Sequence, residues 1–192
     1  MKNAIIIHGT GGNPSVFWIP WLAAELKKSG YKVSTPQIPN SENPVLSEAL
    51  SFVLDNYEIN EDTVLIGHSS GATLILSILE SIDVKVKKAI LVAGFCRQLG
   101  DEKAPILQYS YDWSKIKSHS DELYFINSDN DPWGCDDSMG REMQQHTGGK
   151  LIVMHDGHMG SDKYDQPYKE FPLLLKLIEE VDSNNEAIKN DI

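Results

Sequence analysis

The chain has 192 residues, 41% of them hydrophobic and 23% charged, and a formal net charge of −11. That describes one globular domain whose core needs neither disulfides nor a structural metal. It gives no electrostatic ground for binding nucleic acid or an anionic membrane, and no local run of Lys and Arg offsets the acidity.

The first expected strand, 3–8, holds the short run Ala4-Ile5-Ile6-Ile7. This is shorter than the roughly 7–15 apolar residues of a secretory leader. No later run approaches the ~18 residues of a membrane span. Pro20 can open a helix that carries Leu22 and Leu26 and stops at Gly30. A second strand is expected over 31–35. Leu46, Leu50, Val53, Leu54 and Tyr57 then stripe a helix at 3–4-residue spacing.

A third strand over 63–67 leads into a helix over 70–80 that is apolar nearly all round, as a central helix would be. The fourth strand is expected over 88–93. The stretch 94–121 is long for a connection and reads as a surface loop with a helical turn at 112–117, or as a lid over a site. A fifth strand over 122–127, a polar surface helix over 136–146 and a sixth strand over 150–154 follow. Phe171, Leu174, Leu175, Ile178 and Val181 stripe a last helix, and 183–192 reads as a frayed polar tail. Alternating strands and helices imply a parallel sheet covered on both faces, in a single domain over 1–182. Cys96 and Cys135 lack metal-type spacing and read as reduced thiols of a cytoplasmic protein.

The chemistry concentrates at strand ends. Gly67-His68-Ser69-Ser70-Gly71 is a G-x-S-x-G between an apolar strand and an apolar helix. A serine at such a sharp turn has its hydroxyl held above the sheet, and side chains at the two glycines would collide with neighbouring backbone. Ser69 is therefore the candidate nucleophile. The Ser70 N–H, at a helix N-terminus, is a candidate oxyanion donor.

A serine hydroxyl needs a base, and the base needs an orienting group. On such a sheet, acid and base come in that order from the ends of later strands. Ser128-Asp129-Asn130-Asp131-Pro132-Trp133 offers two acids, and His155-Asp156-Gly157-His158 offers two bases. Asp131, further into its loop and before a proline, is favoured over Asp129, which reads as a turn residue. His158, beyond a glycine turn, is favoured over His155, which ends its strand. A metal on the two histidines is not expected, because no further ligand cluster stands out.

His8-Gly9-Thr10-Gly11-Gly12 follows the first strand. As a dinucleotide fingerprint it fails, since Pro14 stands where the third glycine should and the second strand ends without an acid. A phosphate-binding Gly-Lys-Ser/Thr is also missing. The turn fits a second oxyanion donor instead, Thr10 N–H with Gly11 as the alternative, and His8 reads as a brace. Phe17, Trp18, Trp21, Phe95, Tyr109, Trp113 and Trp133 are candidate pocket walls, with core or lid packing the competing reading.

Together the His8–Gly12 turn, the Ser69 motif, Asp131-Pro132 and Gly157-His158 resemble the α/β-hydrolases. The short chain, the lack of a large cap and Trp113-Ser114-Lys115-Ile116-Lys117 resemble, more narrowly, the small serine hydrolases grouped with retinoblastoma-binding protein 9. The resemblance runs over 3–181. It implies a compact fold starting at the superfamily's third strand, a six-stranded parallel sheet and a Ser69–His158–Asp131 triad. It implies the reaction class, a serine hydrolase; the lack of a large cap makes the site shallow and favours a small ester or thioester, cleaved through an acyl-enzyme without a cofactor. Hydrolysis of a small amide or peptide, or a binding module on a hydrolase scaffold, is the alternative. Retinoblastoma binding does not carry over, since neither cysteine sits in a Leu-x-Cys-x-Glu.

Overall fold

Strands that must be covered on both faces read as unbroken apolar runs, and the sheet sorts its strands by that property. In the computed structural model, which describes residues 1–100 and 104–179, six parallel strands lie in the order β2-β1-β3-β4-β5-β6. The inner strands β1 (Asn3–Ile7), β3 (Thr63–His68), β4 (Val86–Val92) and β5 (Ser120–Ser128) are almost wholly buried. The edges β2 (Lys32–Ser34) and β6 (Lys150–Met154) are not. Five of the expected strand spans shift by one or two residues, the usual latitude at element ends, and the sixth is unchanged.

The helices connect these strands as expected. They are α1 (Ile19–Lys28), α2 (Leu46–Asn56), α3 (Ser70–Ser81), α4 (Trp113–Ser118), α5 (Asp137–Thr147) and α6 over 172–179. Every residue of α3 from Ser70 to Leu79 is buried, as its all-round apolar sequence demands. The polar composition of α5 hides a buried face made by Met139, Gly140, Met143 and Thr147. Asp136 caps its start by accepting from Ser138 N–H, and Gly148 ends it in the left-handed region at φ 74°. Val181 and the tail over 183–192 lie outside the described residues.

One buried charge at the opposite end of the sheet has no warning in the periodicity. Lys88 sits inside β4, donates to the Leu177 carbonyl of α6 and has Glu122 Oε1 at 3.6 Å. Burial pushes its pKa down, with Glu122 working against that. It fastens the last helix to the sheet.

The chain runs outward from β1 to β2, then crosses back to β3 and continues the other way to β6. The crevice above the strand ends, where this reversal separates β1 from β3, is the natural ligand site of such a sheet. The Gly9–Gly12 turn leaves β1 there, and Ser69 leaves β3 beside it.

Candidate active site

Ser69 joins β3 to α3 with φ 55° and ψ −120°, a conformation few residues other than glycine adopt. Its N–H donates to Val92 O at 2.8 Å, which ties the turn to β4. The flanking glycines are needed for the reason the sequence suggests. A Cβ at Gly67 would lie 2.6 Å from the Ala72 backbone, and one at Gly71 would lie 2.5 Å from the carbonyls of Ile7 and His8.

The turn after β1 is braced by His8. Its Nε2 accepts from Ile38 N–H at 3.1 Å, so Nδ1 carries the proton and donates to Gly9 O at 2.8 Å. Burial lowers its pKa, with the Gly9 bond acting against that. Gly11 N–H donates to Ser41 O and Gly12 N–H to Gly9 O. Both are thus committed, which leaves Thr10 N–H as the turn's candidate for an outside acceptor. Thr10 Oγ1 donates to Ser70 Oγ at 3.0 Å, clipping together the two residues expected to form an oxyanion hole.

The loops after β5 and β6 are knitted to each other. Asn130 Oδ1 accepts from Gly157 N–H at 2.9 Å, and Ser128 Oγ accepts from Asp156 N–H at 3.3 Å. Two Asp–His pairs join the same loops. His158 Nδ1 donates to Asp131 Oδ2 at 2.7 Å, with side chains only 7% and 0% exposed. The other carboxylate oxygen, Asp131 Oδ1, accepts from Trp133 N–H at 2.8 Å. His155 and Asp129 pair at 2.5 Å but are 78% and 53% exposed.

A cavity of about 400 Å³ lies above the strand ends. Ser69, His158, Thr10, Phe17, Phe95 and Trp133 line it, and so do Leu99 and Ala104 from the long segment after β4. Asp129 and His155 do not, nor do Trp18, Trp21, Tyr109 and Trp113. Trp18 is fully buried and donates from its indole to Met159 O at 3.0 Å. Trp113 stacks on His146 at 4.7 Å with the rings parallel within 1°, so it joins α4 to α5. Tyr109 is 97% exposed.

Asp131, Cys135 and His158 offer ligand atoms within 4.8 Å of one another, so they are the described residues that could hold a metal. Two of the three residues, Asp131 and His158, are already joined to each other by a hydrogen bond. Burial first, then Asp131 and Asp136, push the Cys135 thiol up and disfavour the thiolate a metal would need.

Two residues that hold the site escape sequence reasoning. His68 occupies the variable position of G-x-S-x-G, where the pattern gives no reason to look. Its Nε2 donates to His158 O at 2.9 Å, and Phe17 and Trp18 each stand edge-on at 5.8 Å. Gln166 accepts from His158 N–H at 2.8 Å. It belongs to no motif, and nothing local marks it.

The family model described as serine hydrolase matches residues 4–180. The YdeN protein of Bacillus subtilis is 30% identical over 174 residues, spanning 84% of this chain and 88% of that protein. The serine hydrolase RBBP9 of Rattus norvegicus is 29% identical over 136 residues, 68% of this chain and 72% of that one. The crystal structure of the ydeN gene product superposes with a TM-score of 0.86 at 26% identity, over 95% of this chain and all of that one. Est1E of Butyrivibrio proteoclasticus, seen with ferulic acid bound, shares the fold at 14% identity and a TM-score of 0.69, over 97% of this chain and 90% of that one.

Proposed function

Since the chain belongs to the serine hydrolase family, an esterase-like α/β-hydrolase enzyme, we propose that it cleaves a small carboxylic ester or thioester with Ser69 as nucleophile, His158 as base and Asp131 as the orienting acid. The observation that carries this reading is the buried His158–Asp131 bond of 2.7 Å, whose histidine shares a cavity with Ser69. Because Nδ1 donates to Asp131, Nε2 is the ring nitrogen left to take the Ser69 proton.

In this reading Ser69 Oγ attacks the substrate carbonyl as His158 Nε2 accepts its proton. Asp131 steadies the imidazolium. The negative charge on the carbonyl oxygen is met by the N–H groups of Thr10 and Ser70, each worth roughly 3 kcal/mol in the transition state. His158 returns the proton to the departing alcohol or thiol, then activates the water that releases the acyl group from Ser69. Every step uses groups of this chain and water. Phe17, Phe95 and Trp133 are proposed to contact the substrate. The cavity volume falls in the range of small-molecule sites, roughly 300–1,000 Å³. The same machinery would cleave a small amide if the leaving nitrogen can reach His158.

A fluorophosphonate probe tests the assignment directly. It should label the protein, and Ser69→Ala should abolish labelling together with hydrolysis of p-nitrophenyl esters of short acyl chains. Labelling that persists in Ser69→Ala overturns the nucleophile.

A further inference from the structure

We propose that His68 and Gln166 are positioning residues that clamp the backbone of the catalytic base on both sides, and that His68 does so from within the nucleophile's own turn. The inference rests on the reading of Ser69 and His158 given above and concerns how their separation is fixed.

His158 is gripped at three points. Its ring is held by Asp131, its carbonyl by His68 Nε2 at 2.9 Å and its N–H by Gln166 Oε1 at 2.8 Å. The first bond sets the ring's direction. The other two set where the whole residue stands above the sheet. A base displaced by about 1 Å can lose two orders of magnitude in rate, so these bonds bear on chemistry as much as on folding.

His68 precedes Ser69 in the chain. Its backbone belongs to β3, where it pairs with Val92 of β4, so the sheet fixes where the ring can reach. Because one turn carries both the nucleophile and the donor that holds the base, a shift of that turn moves them together. The ring is confined by Phe17 and Trp18, edge-on, and lies 4.9 Å from the His158 ring. A carbonyl can only accept, so His68 must keep its proton on Nε2.

Gln166 closes the clamp from the far side. Its own backbone is bonded both ways to Ser161, Gln166 N–H to Ser161 O at 2.8 Å and Ser161 N–H to Gln166 O at 2.9 Å. That bridge turns the loop back under His158. Gly157, in the left-handed region at φ 57°, leaves the room for it, since a Cβ there would overlap the Gln166 side-chain amide.

The test is a set of four variants, read by the rate of fluorophosphonate labelling and by kcat and KM on one p-nitrophenyl ester. His68→Leu removes the donor, whereas His68→Gln can place an amide N–H near the lost Nε2. Gln166→Leu removes the acceptor, whereas Gln166→Glu keeps an oxygen there. We expect each leucine variant to lose about tenfold or more in kcat and in labelling rate with KM within about twofold. Each conservative variant should recover most of that loss. The downfield proton resonance of the His158–Asp131 bond should broaden or vanish in the leucine variants and return in the others. Gln166 is half-buried in a loop, so its variants report even if His68→Leu fails to fold. Folded leucine variants with wild-type kcat overturn the proposal. So does a His68→Gln loss equal to that of His68→Leu, since the ring would then matter only for packing. A wild-type protein that the probe does not label would instead overturn the nucleophile assignment beneath it.

Discussion

Two Asp–His pairs bridge the same two loops, and the sequence separates them only by loop position, the proline after Asp131 and the glycine turn before His158. Asp129–His155 and Asp131–His158 draw their acids from positions two apart and their histidines from positions three apart. The exposed pair is the shorter, at 2.5 Å against 2.7 Å. Water surrounds it, and a pair so exposed is worth about 0–1 kcal/mol even when both partners are ionised. The buried pair sits in a low-dielectric site beside a cavity, where an aligned carboxylate can stabilise an imidazolium. A short distance therefore does not identify a functional pair. Burial, a second hydrogen bond to the acid and access to the cavity separate the two.

The sharpest way to break this comparison is to neutralise each acid in turn. Asp131→Asn should lower kcat/KM on a p-nitrophenyl ester by about 10⁴, the cost of presenting the wrong imidazole tautomer. Asp129→Asn, and His155→Ala with it, should leave kcat/KM within about twofold. Equal losses for the two asparagine variants would dissolve the distinction.

Acid unfolding sharpens the comparison from the side of stability. Burial, reinforced by the neighbouring His158, pushes the His68 pKa down from 6.5 to about 3. The unfolded chain takes up this proton as pH falls through 6.5, while the folded ring resists it until about 3. Stability is thus unaffected by this group above pH 6.5. Below that it falls at up to about 1.4 kcal/mol per pH unit. His8, lowered mainly by burial, adds in the same direction. Urea midpoints between pH 7 and 4 should show the decline, and His68→Gln should flatten it.

A smaller effect is expected at the clip between Thr10 and Ser70, the proposed oxyanion residues. Thr10→Val removes the 3.0 Å bond to Ser70 Oγ but keeps both backbone donors, so kcat should fall about tenfold, with Thr10→Ser restoring it. Wild-type kcat in Thr10→Val would show that the clip does not set those donors. The smallest effect belongs to the exposed pair. A double-mutant cycle on Asp129 and His155, read by urea unfolding at pH 6, should return a coupling below about 1 kcal/mol that disappears near 1 M salt.

Much of the fold and the turn at the centre of the candidate site were legible beforehand, for local reasons. The inner strands are unbroken apolar runs because both faces are covered, and α3 is apolar all round because it is buried all round. Gly67 and Gly71 announce the turn at Ser69 because no side chain fits at either position. The aromatic residues could not be sorted in this way. Phe17 and Trp18 are adjacent and equally apolar, yet Phe17 faces the cavity and Trp18 is enclosed by Met159, His68 and Phe171. Trp113, which marks the family resemblance, pairs with a histidine 33 positions along the chain that no spacing rule connects to it.

By itself the sequence determined the strands, the central helix and the turn that lifts Ser69, because periodicity and steric exclusion act between residues close in the chain. The sequence favoured Asp131 and His158 over their neighbours, but only the tertiary structure decided that these two are buried together and that His68 and Gln166 hold His158 between them. Those outcomes depend on distances between loops that leave different strands, and such distances are set by packing of the whole sheet.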